Sequence, residues 1–275
     1  MITASAVNEL RKATGAGMMD CKKALQETNG DMEAAIDFLR KKGAKISANR
    51  ADRDAAEGAV IAAASDDKKT GVVIRLNCET DFVAKNDDFV AFAKEIAFIA
   101  LKSKPASIEA LLTEKSGDLT LGEKVLDYIG KIGEKIEITC CEFVNGELVV
   151  PYIHAGNKIG VLVALNAASD DIENAGKNVA MQIAAMSPVA LDKNDVPQSV
   201  IDREIEIGKA QAAAEGKPEA MLEKIALGKL NKFYKDSTLL NQDYVKDSSK
   251  TVAQMLNDVH KGLTVLQFKR IQLGA

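Results

Sequence analysis

Tryptophan is absent from the 275 residues, histidine occurs twice and cysteine four times. Aromatic side chains make up only 4% of the chain, so its cores have to be built from Ala, Val, Ile, Leu and Met. The two histidines, His154 and His260, fall in different predicted elements, which leaves few general bases for a catalytic centre. The phosphate loops, the nucleophile elbow, the HExxH zinc helix and the EF-hand loop are all missing. No catalytic residue, metal site or cofactor is therefore expected. Cys21, Cys78, Cys140 and Cys141 show no CxxC spacing and read as reduced packing residues. Charge of a single sign is lacking too. There are 36 basic and 40 acidic residues, a net charge of -4, and no long run of either sign. That argues against direct nucleic-acid binding, which needs concentrated Lys and Arg. The longest apolar runs, such as residues 59–64 and 159–165, are far too short to span a bilayer. The first residues, MITASAVNELRK, carry no charged segment followed by an apolar one, so a cytoplasmic protein is expected.

What is present is strong periodicity, with 47% hydrophobic residues and room for two or three compact units. Residues 1–54 predict three short helices and a polar linker. Ala6, Val7 and Leu10 mark the first helix, Met18, Cys21 and Leu25 the second, and Met32, Ala35, Ile36 and Leu39 the third. Asp31 suits the N-cap of the third helix, and Gly43 is expected to stop it. A bundle this small is expected to lean on a partner for stability.

Residues 55–134 predict a first core subdomain. GAVIAAAS and VVIRLNCE flank a turn-rich DDKKTG and form a hairpin, with Val72, Ile74, Leu76 and Cys78 on its one buried face. A helix follows from about 87 to 102 with Phe89, Phe92, Ala93, Ile96 and Ile99 inward, and Thr120 with Glu123 signals a capping box. Residues 135–275 predict a second subdomain. It opens on a three-stranded meander whose first turn is Asn145-Gly146. A helix carrying Ile172, Ala175, Val179, Ile183 and Met186 comes next. At about 198–235 an inserted helical hairpin, with Pro218 at the first position of its second helix, interrupts the unit. The fold class is α+β, with antiparallel sheets flanked by helices. GVVIRLNCETDF and IGVLVALNAASDD each precede a long helix, a weak internal echo between the subdomains.

Few constellations carry chemistry. Gly15 and Gly17 do not follow a strand, and the paired acids sit at turns or helix starts where carboxylates are favoured anyway. His154 ends a strand beside glycines and reads either as a turn hydrogen-bonder or as a functional group. Met18 and Met19 are adjacent on a helix and cannot share a face, so one of them is expected to look outward as a partner contact. NCETDFVAKN (residues 77–86) places an acid and a large aromatic just after a strand. Phe82 either folds back under the next helix or, with Asp81, protrudes as a wedge; Phe89 and Phe92 already supply bulk to that helix. A small-molecule enzyme and a peptide-binding adaptor remain alternatives on the residues alone.

Three separated motifs, TGAGMMDCKKAL (14–25), TDFV (80–83) and YIHAGNKIGVLV (152–163), closely resemble the bacterial elongation factor Ts family, nucleotide exchange factors of the translation GTPase elongation factor Tu. The resemblance runs from residue 2 to about 270 in the same order. It implies a ubiquitin-associated-like N-terminal bundle, two core subdomains and a helical arm used in homodimer or heterotetramer contacts. It also implies that Thr80, Asp81, Phe82 and Val83 dislodge magnesium from the GTPase, with Asp81 and Phe82 intruding. Met18, Met19, His154 and Gly160 are then expected to contact it. Glu79 stands where many relatives carry Gln, which is expected to add a charge beside the wedge.

Overall fold

The computed structural model describes residues 2–274; Met1 and Ala275, the outermost residues of the first and last expected units, lie outside the described residues. The helices are α1 (Ala4–Thr14), α2 (Met18–Glu27), α3 (Met32–Asn49), α4 (Asp81–Ala84), α5 (Asp87–Ser103), α6 (Ile108–Thr113), α7 (Leu121–Ile132), α8 (Asp170–Met186), α9 (Gln198–Ala214), α10 (Glu219–Ser237) and α11 (Val252–Val259). The strands are β1 (Glu57–Ala64), β2 (Thr70–Cys78), β3 (Lys115–Ser116), β4 (Leu119–Thr120), β5 (Ile136–Asn145), β6 (Leu148–Ile153), β7 (Ile159–Leu165), β8 (Asp243–Tyr244), β9 (Asp247–Thr251) and β10 (Val265–Gln272).

The fold is α+β. Two antiparallel three-stranded sheets, β1-β2-β5 and β10-β7-β6, lie face to face. Val60, Ala62, Val73, Val144, Val149, Leu162, Ala164 and Leu273 fill the space between them. The outer face of the first sheet packs on α5 and α7 through Ile74, Leu76, Phe89, Phe92, Ile96, Val125 and Ile129. The outer face of the second packs on α8 and α11 through Val161, Val163, Val179, Ile183 and Leu256. The order is therefore helix, sheet, sheet, helix, and both faces of β2 are buried where one was expected.

Three expectations need correcting. The meander does not form, because β5 pairs with β2 and completes the first sheet while β6 pairs with β7 in the second. Asn145-Gly146 is the crossing point between sheets. Gly146 donates to Lys69 O at 3.0 Å, Glu147 donates to Leu165 O at 2.9 Å, and a Cβ on Gly146 would meet Leu165 O at 2.9 Å. A local turn signature cannot distinguish a hairpin from a step between stacked sheets. Second, α3 does not stop at Gly43 but runs to Asn49, and Gly43 is buried in its interior. Its backbone lies against Leu126 of α7, which is why glycine is needed there. Third, Met186 is exposed at the end of α8.

Other local signals hold. Asp31 caps α3 by accepting from Ala34 N at 3.0 Å, and Thr120 with Glu123 forms the capping box of α7. The arm consists of α9 and α10 in close contact, Gly208 against Ala226, with Pro218 one residue earlier than expected at the N-cap of α10. It rejoins the body where Val189 N donates to Ser237 O at 2.8 Å and Leu239 N to Ala190 O at 3.0 Å.

Sheet stacking yields one prediction. A Cβ on Gly160 of β7 would lie 2.6 Å from Val60 Cγ1 and 3.2 Å from Val73 Cγ2. Gly160→Ala should therefore destabilise the chain by about 1–3 kcal/mol through overpacking, read as a lower urea midpoint; an unchanged midpoint would mean that the sheets are not in this contact.

Candidate functional site

Strand β2 ends at Cys78, whose side chain is buried beneath the outer helices. Burial pushes its thiol up to about 12, so it stays protonated and donates to Thr80 O at 3.2 Å. Thr80 is extended and caps α4, a single turn too short to hold itself together. The hold comes from elsewhere. Glu134, just after the Gly133 cap of α7, accepts from Thr80 N at 3.0 Å and from Thr80 Oγ1 at 2.7 Å. Val83 and Ala84 pack on the first core, while Asn86 caps α5 by accepting from Asp88 N at 2.8 Å.

With Val83 and Ala84 turned inward, the first two residues of the turn face water. Phe82 is 83% exposed, so it does not fold back under α5. Asp81 Oδ2 accepts from Lys85 Nζ at 2.6 Å. That hydrogen bond, reinforced by the Lys85 charge, holds the Asp81 carboxyl below the usual carboxylate range. The same contact raises Lys85. At neutral pH the turn therefore presents a carboxylate beside an uncovered ring.

The other expected residues lie on the turn after β6, on β7 and at the start of α2. The turn after β6 carries His154, whose Nδ1 lies 3.0 Å from Tyr152 Oη and whose N–H donates to Ile159 O at 2.8 Å. His154 is exposed, and its turn borders α4: Lys158 adds to the field on Asp81 and pairs with Glu57 Oε2 at 3.5 Å. Gly160 is buried between the sheets and offers no side-chain surface, so its part is to let this turn sit close to β1.

Met18 and Met19 open α2, and both look outward, at 54% and 72% exposure, where only one was expected to. The first turn of a helix has no preceding turn to pack under, so two adjacent side chains can both reach solvent there. Their loop is tied to the core by Lys131. Its side chain lies against Gly15, where a Cβ would meet Lys131 Cε at 3.0 Å, and Lys131 Nζ is 3.6 Å from Asp88 at the start of α5.

Glu79 does not add a free charge beside the wedge. Both its oxygens lie 2.8 Å from Arg50 Nη1, and Lys135 N donates to Oε1 at 2.6 Å. Burial pushes its carboxyl up, but the Lys135 N–H and the Arg50 guanidinium outweigh this and hold it low.

Sequence reasoning missed Lys85, Glu134 and Lys158. Lys85 was findable, four residues after Asp81 on a helix; Glu134 is 54 residues from Thr80 and carried no local signal. Among the described residues no group of three or more His, Cys, Asp or Glu is placed to hold a metal ion, and no helix is long and apolar enough to cross a membrane.

A family model described as Elongation factor TS matches residues 79–275. Elongation factor Ts of Cytophaga hutchinsonii is 58% identical over 275 residues, covering 99% of both chains. The proteins of the same name from Amoebophilus asiaticus and Flavobacterium psychrophilum are 53% and 52% identical, with at least 99% of each chain covered.

Two outcomes follow from the geometry. Glu134→Ala leaves the Thr80 N–H and hydroxyl without their acceptor, at a cost on the order of 2 kcal/mol, and hydrogen exchange at the Val83 to Asn86 amides should speed up before the rest of the core. Retained protection would show that α4 is held by packing alone. In Lys85→Met the Asp81 carboxyl should titrate at higher pH than in the parent, nearer its ordinary value, by NMR; no change would remove Lys85 as the cause.

Proposed function

The chain belongs to the elongation factor Ts family, and from that premise we propose that it is the nucleotide exchange factor of the translation GTPase elongation factor Tu, acting in the cytoplasm without covalent chemistry of its own. It binds the GDP-bound GTPase, promotes GDP release and allows GTP to reload. The observation that carries this reading is Phe82, exposed on a one-turn helix whose base is gripped by Glu134.

In the proposed mechanism Phe82 enters a pocket that opens in the partner as nucleotide leaves. Asp81, already ionised, brings a negative charge toward the partner's magnesium and phosphates. Thr80 and Val83 hold the pair in place from below. Met18, Met19 and the exposed turn at His154 make flanking contacts, and Gly160 lets that turn approach. Because the chain binds the nucleotide-free GTPase more tightly than the loaded one, bound nucleotide is weakened by the same factor.

Magnitudes divide the work. Burying one Phe supplies about 1.5–3 kcal/mol, whereas accelerating release by ~1,000-fold requires roughly 4 kcal/mol. The ring supplies about a third to three quarters of that and the Asp81 charge the remainder, while the flanking contacts add affinity. We also assign to the arm of α9 and α10, with Ile207, Met221 and Leu227 exposed, the contacts of a homodimer or of a heterotetramer with the GTPase.

The test is release of a fluorescent GDP analogue from elongation factor Tu in magnesium buffer. Substoichiometric chain should accelerate it, and Phe82→Ala should lower the rate by about 10- to 150-fold, the equivalent of one lost Phe burial, with a smaller loss in binding. Equal losses in rate and binding would count against a wedge, and no acceleration by the folded parent would leave an adaptor role.

A further inference from the structure

The N-terminal bundle is joined to the core by a contact that side chains cannot make. In α3, Gly43 faces α7 so closely that a Cβ there would lie 2.4 Å from Leu126 O and 3.4 Å from Gly130 Cα. Gly130 answers it, its own Cβ position lying 3.3 Å from Gly43 Cα. Glycine inside a helix costs about 1 kcal/mol relative to alanine, so two facing glycines give up helix stability for proximity. Along the same helix, Leu39 and Ile36 pack in the bundle core, whereas Ile46 packs in the first sheet's core. One helix thus belongs to both units.

Three further attachments act in the same sense. Arg50, just past α3, grips Glu79, the residue before Thr80, and Lys135 Nζ donates to Ala51 O at 3.0 Å and Arg53 O at 3.2 Å. At the other end Lys131 spans Gly15 and Asp88. These attachments run between the bundle, or the segment just after it, and residues next to α4 or to its Glu134 anchor.

We propose that Gly43 and Gly130 are positioning residues for exchange: their backbone contact fixes Met18 and Met19 relative to Asp81 and Phe82, so that one GTPase molecule meets both surfaces at once. This rests on the exchange reading above. Two apolar contacts on a rigid body bind as one, whereas the same contacts on units free to swing lose most of that advantage. Gly43→Ala forces the helices apart because the obstacle is a backbone oxygen that cannot rotate away. α4 keeps its two hydrogen bonds from Thr80 to Glu134, which do not involve α3.

The experiment compares the parent, Gly43→Ala, Gly130→Ala and Lys94→Ala. Lys94 is exposed on α5, outside the surfaces assigned to the partner, and controls for the general effect of a substitution. Each variant is checked for helix content by circular dichroism and for docking by small-angle scattering and hydrogen exchange along α7. GDP release is then titrated with each chain. Gly43→Ala should keep its helices and expose α7. It should raise the half-saturating concentration by about tenfold or more while leaving the rate at saturation within about twofold. Gly130→Ala should do the same more weakly, and Lys94→Ala not at all. A docked Gly43→Ala chain, or an undocked one with an unchanged half-saturating concentration, would overturn the proposal; so would a loss confined to the saturating rate, or a Gly43→Ala chain too unfolded to assay alongside a Gly130→Ala chain that behaves as the parent. Absence of release by the parent itself would sink the exchange reading, and is seen before any variant is made.

Discussion

A phenylalanine kept in water has to be held there by something other than its own burial. Here that something is the pair of hydrogen bonds from Thr80 to Glu134. A four-residue helix has no stability of its own, and Phe82 contributes nothing to the fold while it is exposed. Removing the carboxylate would leave an apolar ring on a frayed turn, free to collapse on the nearest core. The charge of Glu134 makes these bonds stronger than neutral ones, and its position after Gly133 ties the turn to the end of α7. The turn is therefore tied to the first core beneath it.

That core depends in turn on small residues at close approaches. With aromatics scarce, the two sheets meet through Val, Ala, Leu and glycine, and Gly71 and Gly160 sit where a methyl group would strike Val149 or Val60. The same device recurs between α3 and α7 and between α9 and α10. Backbone contact of this kind admits few alternative registers, so the places of bundle and sheets, and of the two arm helices against each other, are set tightly. A factor that has to touch its partner at separated points gains from such stiffness.

Much of this was legible in the sequence, and the parts that were not share a cause. Helix periodicity located α5 and α8 almost to the residue, and local chemistry gave the Asp31 cap and the Thr120 capping box. Three short motifs carried the family. What stayed hidden was non-local. The Asn145-Gly146 pair looks the same whether it turns a hairpin or steps between sheets. Gly43 reads as a stop unless the facing Gly130 is known. Glu79 appeared as an added charge because its partner Arg50 is 29 residues away. The candidate site was legible as Asp81 and Phe82, whereas the Glu134 anchor and the Lys158 field come from elements that only the fold brings near.

Exchange as proposed requires this chain to distinguish an empty GTPase from a loaded one. The most direct measurement is its affinity for elongation factor Tu with nucleotide removed and with GDP and magnesium at saturation, in one buffer. Tighter binding to the empty form is predicted, by the same factor that the chain weakens GDP, because linkage makes the two ratios equal. Equal affinities for the two forms would contradict it.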